Sequence, residues 1–316
     1  KRKNRTMEIG VLGFLDSKNI GDYIQSQAVI DLIKPNKTKF IDRENLHKYD
    51  GNNLKTIING WFMEKPNNWP PSAKVKPLFL SFHINPSIVK TFLNKKSIEY
   101  FKKNEPIGCR DYYTRDVLIK KGVNAFYSSC LTTTIDRKKY LKEKPPTGII
   151  VIGAFDRLNP IIDNKSIFKL LLSIIKYPFK KISYTIKLKK FNNHLLGLNR
   201  EINTHSQIIK QPVKSHQKGI ELAKEMLEKI AKSEIIITSR IHAALPALAM
   251  GLKVIFINEG LDHNNHKQRL LGLKNYFTCV NYKDFFMINF DTIKQDLSHK
   301  EYVYNIKKTI NNFKNK

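Results

Sequence analysis

Ser233–Gly260 reads SEIIITSRIHAALPALAMGLKVIFINEG. The run Ile235, Ile236 and Ile237 is short, β-branched and apolar at every position, the pattern of a strand covered on both faces. Thr238, Ser239, Arg240 and His242 follow together. A small-residue helix then runs through Ala243, Ala244, Ala247 and Ala249, is ended by Gly251, and gives way to a second buried strand at Val254–Ile257. This order places the polar cluster at the carboxyl end of a parallel strand, beside a helix N-terminus. Ligands of open α/β sheets bind there, and free N–H groups with the helix dipole favour an anion. The alternative is a core βαβ unit in which Arg and His merely cap a helix, although Arg in such a turn usually has an anionic partner.

The alternation extends outward in both directions. Towards the N-terminus the pattern predicts a strand over Met7–Phe14 and a helix over Asp22–Ile33, with Asp22 as N-cap and Gln25 as its capping-box partner. Strands at Lys39–Asp42, Thr56–Phe62 and Pro77–Ile84 come next, then a helix over about Ile88–Lys102. The strand Pro106–Arg110 leads into a helix at Tyr112–Lys121, and Ala125–Cys130 and Leu131–Ile135 finish this half. Lys142–Gly148 (KEKPPTG), charged and proline-paired, marks a boundary. The division is therefore 1–142 and 143–316. Beyond it come a strand at Gly148–Ala154, a helix at Ile161–Ile175 and a strand at Lys181–Leu188. Lys189–Gln217 has no clear period; a helix at Lys218–Lys232 and a closing helix at Asp291–Asn312 complete the chain, the latter a candidate to pack back on the first half. The expected fold is α/β, two doubly wound Rossmann-like domains facing across a cleft. Gly10, Gly13 and Gly21 do not have GxGxxG spacing, which disfavours a classical dinucleotide site.

Composition narrows the class. The 316 residues are 41% hydrophobic, enough for real cores, and no apolar run reaches the ~20 residues of a membrane helix. There is no signal-peptide pattern; the chain starts KRKNRT without Met, the mark of a fragment or linker end. Cys109, Cys130 and Cys279 lack metal-ligand spacing and fit a reducing, cytoplasmic setting as buried thiols. Lys and Arg number 56 against 27 Asp and Glu, a formal charge of +29. The excess is mostly scattered Lys, and no aromatics interleave with it, which disfavours a nucleic-acid surface. Anionic metabolites, acidic glycans or an anionic membrane face are the partners such a surface would attract.

Five segments in order carry a resemblance. NIGDYIQSQA (Asn19–Ala28), INGWF (Ile58–Phe62), LFLSFHI (Leu78–Ile84), IGCRDYYTRDVLIKKG (Ile107–Gly122) and TSRIHAALPALAMG (Thr238–Gly251) together resemble the polysaccharide pyruvyl transferase family. The resemblance implies a GT-B-like two-domain fold and transfer of pyruvate from phosphoenolpyruvate to a sugar as a ketal, with no other cofactor. It implies donor contacts from Arg240 and His242, and carries Asn19, Gly21 and Asp22 and the corner Arg110–Asp111 into the site. Leu252-Lys253 departs from the family pattern, and Lys189–Gln217, with His205, matches nothing alignable and is a candidate for acceptor contacts. The acceptor is a sugar or glycan, with a lipid-linked precursor as one form.

Such a donor carries a carboxylate and a phosphate, and the planar guanidinium fork suits both. Arg240 stands first, Arg110 second, with Arg115 and Arg269 behind them and Ser239 beside Arg240. Ketal formation needs protons moved at two hydroxyls and one carbon, so His242 is the candidate acid or phosphate contact. Asp22 is the candidate base on the facing half, the alternative being simple N-capping. For Asp111 the alternative is an ion pair with Arg110 or Arg115. His83 points either into the crevice or into the core. Glu259 binds either a sugar hydroxyl or a nearby Lys, and His263 and His266 are either exposed or phosphate contacts. No metal is called for. The donor side is assigned to 143–316 and the acceptor side to 1–142. The competing readings are a nucleotide-sugar glycosyltransferase on the same scaffold and a non-catalytic polyanion-binding module.

Overall fold

The computed structural model describes residues 8–142, 145–162, 166–261, 263–294 and 296–315; the start of the first expected strand (Met7) and part of the 142–148 boundary lie outside them. Strands β1 (Ile9–Gly13), β2 (Lys39–Asp42), β3 (Leu54–Phe62), β4 (Val75–Ile84), β5 (Ile107–Cys109) and β6 (Ala125–Tyr127) form one sheet in the order β2-β1-β3-β4-β5-β6. Strands β7 (Ile149–Ile152), β8 (Ile202–His205), β9 (Ile235–Thr238), β10 (Lys253–Ile257) and β11 (Thr278–Val280) form a second, ordered β11-β10-β9-β7-β8. Every neighbouring pair is parallel. The helices are α1 (Ile20–Ile33), α2 (Val89–Phe92), α3 (Lys95–Lys103), α4 (Tyr112–Ile119), α5 (Ile167–Leu196), α6 (His216–Ala231), α7 (Ile241–Ala249), α8 (Asn264–Gln268), α9 (Tyr282–Phe285) and α10 (His299–Asn315). The fold class is α/β.

The isoleucine-rich strands are apolar throughout because both their faces are covered. In β7 and β9, Ile149, Val151, Ile235 and Ile237 face a cluster holding Phe191 and Phe285. Ile150, Ile152 and Ile236 face the opposite way, into a larger cluster with Ala243, Leu227 and Ile24. Each such side chain removed from water contributes about 1.5–3 kcal/mol. That larger cluster runs without a break from Val11 in the first sheet to Phe256 in the second. Helices α1, α6 and α7 pack on one another between the sheets, and α10 lies against α1 and the 131–134 turn. The two halves therefore share one core.

In each sheet the strand order reverses once, between β1 and β3 and between β7 and β9, and the carboxyl ends of these strands are where open sheets collect ligands. A backbone strap joins the two edges. Ile20 donates to the Gln207 carbonyl (3.0 Å), Ile209 to Lys18 (2.9 Å) and Val213 to Ser17 (2.9 Å). The strap comes from the stretch that carried no legible period.

Several expectations are corrected. Ile161–Ile175 as a helix and Lys181–Leu188 as a strand are replaced by one helix, α5, which continues through Pro178 to Leu196. The alternation of Ile and Lys at 182–187 mimics a strand, but Tyr184, Leu188, Phe191 and Leu195 repeat at helical spacing and pack on the core. The strand is β8, further on. Leu131–Thr134 is a 3-10 turn. The helix over Ile88–Lys102 is two, broken where Asn94 caps α3 by accepting from Ser97. The closing helix starts at His299, eight residues later than Asp291. Asn19, not Asp22, caps α1: its Oδ1 accepts from the Gly21 N–H at 3.1 Å, which places Asp22 in the first turn with its carboxylate free of capping.

Candidate functional site

A crevice of about 840 Å³ lies over the carboxyl edge of the first sheet, with walls from both halves. Asn19, Asp22, Arg43 and Trp61 line one side; His242 and Arg269 line the other. Asn19 sits on the seam. Its Oδ1 also accepts from Gln207 Nε2 at 3.0 Å. Gly21 is there for close approach: a Cβ would stand 1.9 Å from Gln207 Nε2 and 2.9 Å from His242 Cβ. Asp22 accepts from Ser17 Oγ at 2.6 Å. Burial raises its carboxyl above the ordinary value, against the pull of Arg43, the Ser17 hydrogen bond, Arg269 and Arg110.

Beneath this wall lies a buried polar group. His83 Nδ1 and Asp111 Oδ2 are 2.5 Å apart, and Asp111 Oδ1 accepts from the Thr114 N–H at 2.9 Å, capping α4. Asp111 thus holds the His83 ring with Nδ1–H donating, and Nε2 carries the lone pair. Among the described residues no atom bonds to that Nε2. A bulge creates the arrangement: the β3–β4 register shifts between Ile58 and Gly60, and Ser81 has φ +62°. Regular alternation would place His83 on the side of Phe79. Instead Phe79 and Phe82 share one aromatic cluster, ring centroids 5.2 Å apart, and His83 packs against Trp61 with centroids 5.1 Å apart and the rings tilted.

Arg110 is the largest of the fully buried side chains. Its Nε is 3.7 Å from Asp111 Oδ2, and among the described residues none of its three nitrogens has a hydrogen-bond partner. A buried guanidinium whose N–H groups are left without acceptors is costly. His242, also buried, has its Nε2 unpartnered. Burial, then the charges of Arg110, Arg269 and His83, hold its pKa well below the usual value. Burial likewise pushes His83 down to about 4, although Asp111 pulls it up. Arg269, over the Trp61 ring at 5.2 Å, falls to about 9 through burial and the neighbouring Arg110 and Arg157.

Arg240 occupies the matching corner of the second sheet. It pairs with Asp156 at 2.9 Å, so its anionic partner in this state is internal. Arg157 stands beside it and donates to His266, 3.2 Å from Nε2; burial and that Arg depress His266 to about 4. Ser239 Oγ donates to the Gly153 carbonyl at 2.6 Å, tying β9 to β7. Glu259 accepts from the Tyr282 N–H at 2.9 Å and supports α9. Arg115 pairs with Asp116 and stacks on Tyr112. His205 lines a different crevice, near Lys229 and Glu201. The structure therefore gathers Asp22, His83, Arg110, Asp111, His242 and Arg269, sets Arg240 beside them, and leaves His205 and Glu259 apart. Trp61, Arg43 and Arg157 were not singled out from the sequence. Arg157 follows a buried strand, the signal that marked Arg240, and Trp61 lies in the INGWF segment.

Two buried, neutral histidines make stability depend on pH. Their folded pKa values lie below the 6.5 of an ordinary His, so the unfolded chain binds more protons. Stability is full above about 6.5 and falls as pH drops towards 4. Asp22, with a raised pKa, acts in the opposite sense and offsets a little of this. Between about pH 7 and about pH 5 the denaturation free energy is expected to fall, with His266 adding to the trend. Urea titrations at the two values measure it, and a flat profile contradicts the assignment of His83 and His242 as neutral.

A family model described as polysaccharide pyruvyl transferase matches residues 19–260. No curated protein sequence matches the chain. Among solved structures, that of a functionally uncharacterized protein from Klebsiella pneumoniae subsp. pneumoniae NTUH-K2044 is similar, with a TM-score of 0.49 and 15% identity, covering 86% of this chain and 92% of that one.

Proposed function

Because the chain belongs to the polysaccharide pyruvyl transferase family, we propose that it moves pyruvate from phosphoenolpyruvate to two hydroxyls of a glycan sugar as a ketal. The observation that carries the reading is Arg110, a fully buried guanidinium with no hydrogen-bond partner among the described residues, set among His83, His242 and Arg269. A small donor with two anionic groups satisfies Arg110 and Arg269 together. Arg110 and His83 are not part of the crevice wall, and His83 packs against Trp61, which is, so the donor reaches them only if wall side chains shift. This seats it between the halves rather than on the second half alone. The GT-B-like reading of the architecture rests on the same shared crevice, with a continuous core that restrains opening.

The protons balance simply. Both hydroxyl oxygens bond to the central carbon of the donor and the phosphate leaves. One hydroxyl proton becomes the third hydrogen of the new methyl group; the other departs on the phosphate. Asp22 is the base for one hydroxyl, since a raised carboxyl pKa makes a stronger base. His83, held in one tautomer by Asp111, takes the second. His242 meets the phosphate and becomes a proton donor once the bound anions offset Arg110 and Arg269, which now keep it neutral. Arg240 and Arg157 guide the anion from the second half, and Asn19 and Gly21 shape the seam.

Incubation with phosphoenolpyruvate and a panel of hexose glycosides is expected to release phosphate, and phosphoenolpyruvate to raise the melting temperature. Stabilisation by a nucleoside diphosphate instead, with no phosphate released from any acceptor, overturns the donor assignment.

A further inference from the structure

Helix α5 presents an unpartnered apolar face to solvent. Phe168, Leu171, Ile175, Phe179, Ile182 and Ile186 recur three and four residues apart, and each is between 56% and 74% exposed. This row spans ~27 Å. The opposite face of the same helix is the one that reaches the protein, through Tyr184, Leu188, Phe191 and Leu195. A surface helix normally turns its apolar stripe inward; here the stripe turns outward along most of the length. Residues 166–196 hold seven lysines and no Asp or Glu. Lys169, Lys176, Lys180 and Lys187 fall on one flank of the stripe at helical spacing. No helix among the described residues is long and apolar enough to cross a membrane.

We propose that α5 lies flat in the surface of an anionic lipid bilayer, with the row from Phe168 to Ile186 immersed among the acyl chains and the flanking lysines on the head groups. The charge decides the occupant. A second copy of this chain would bring seven more lysines against the first seven, whereas an anionic surface neutralises them. Lys181 Nζ donates to Asn159 Oδ1 at 2.9 Å, which fastens the inner face of α5 to the loop that carries Arg157. The bilayer then lies about one helix diameter, ~10 Å, from that loop. If the reading of the site above is right, the acceptor is a sugar carried on a membrane lipid; the docking itself does not depend on that reading.

Co-sedimentation of the full chain with phosphatidylcholine vesicles, with and without phosphatidylglycerol, tests this. Binding is expected only to the anionic vesicles and to weaken with salt. Ile175→Ser, Phe179→Ser and Ile182→Ser together should lower the vesicle partition by on the order of 100-fold. Lys176→Gln and Lys180→Gln should each lower it by about fivefold. All these side chains are exposed, so the melting temperature should stay the same. Equal binding to neutral vesicles, no binding to either, or undiminished binding by the triple variant overturns the proposal. So does a dimer in sedimentation that the triple variant dissociates, because the stripe is then covered by a second copy.

Discussion

His83→Asn is expected to lower kcat for phosphate release by about 10³-fold with little change in melting temperature. Asn keeps a donor for Asp111 Oδ2 at the position of Nδ1 but offers no basic nitrogen at the position of Nε2. Asp111→Asn should fall by a similar order, since the amide no longer selects the His83 tautomer and α4 loses part of its cap. The pH profile separates a proton-transfer role from a packing role. A base must be neutral, and burial sets His83 at about 4, so activity should persist well below the usual histidine range. The Asp111 charge raises that value, so Asp111→Asn should move the acid limb lower still. Full activity in His83→Asn would sink the assignment and leave Asp22 as the base.

Arg110→Met should have the largest effect on the donor. Loss of the buried guanidinium is expected to weaken phosphoenolpyruvate binding by roughly 100-fold or more, the cost of leaving a charged ligand group unpaired. The free protein should change little in stability, because relief of the desolvated guanidinium is offset by loss of its 3.7 Å contact with the Asp111 carboxylate. Asp111 keeps its bonds to His83 and Thr114 in that variant. Calorimetry of the donor with thermal melts of the apo protein measures both. A lower melting temperature with unchanged donor affinity would show that Arg110 serves the fold.

The strongest local signals were legible for physical reasons. Ile235–Ile237 must be a strand buried on both faces, and the polar corner at Thr238–His242 must lie at its carboxyl end, because parallel strands need a crossover and the helix begins there. Asn19–Asp22 and Arg110–Asp111 were found by the same rule. The misreadings share one cause. At Lys181–Leu188 the local alternation suits a strand, and only packing of Tyr184, Leu188 and Phe191 against the second sheet makes it helix. Asn19 outcompetes Asp22 as a cap because its carbonyl oxygen bonds both to the helix start and to Gln207, 188 residues away in sequence.

By itself the sequence determined the α/β class, the family and the polar corners, since these rest on periodicity and on residues adjacent in the chain. The tertiary structure alone decided what surrounds those corners. His83 faces the site because a bulge at Asn59–Gly60 and Ser81 reverses the side on which it emerges. Its ring is fixed because Asp111, from another strand end, meets Nδ1, and Arg110 is left with the 3.7 Å contact to Asp111 and unmet N–H groups because burial shuts out solvent. Arg240, foremost in the sequence, turns out to be engaged with Asp156. Charge state and availability depend on desolvation and on neighbours distant in the chain, and neither is written in any local stretch of residues.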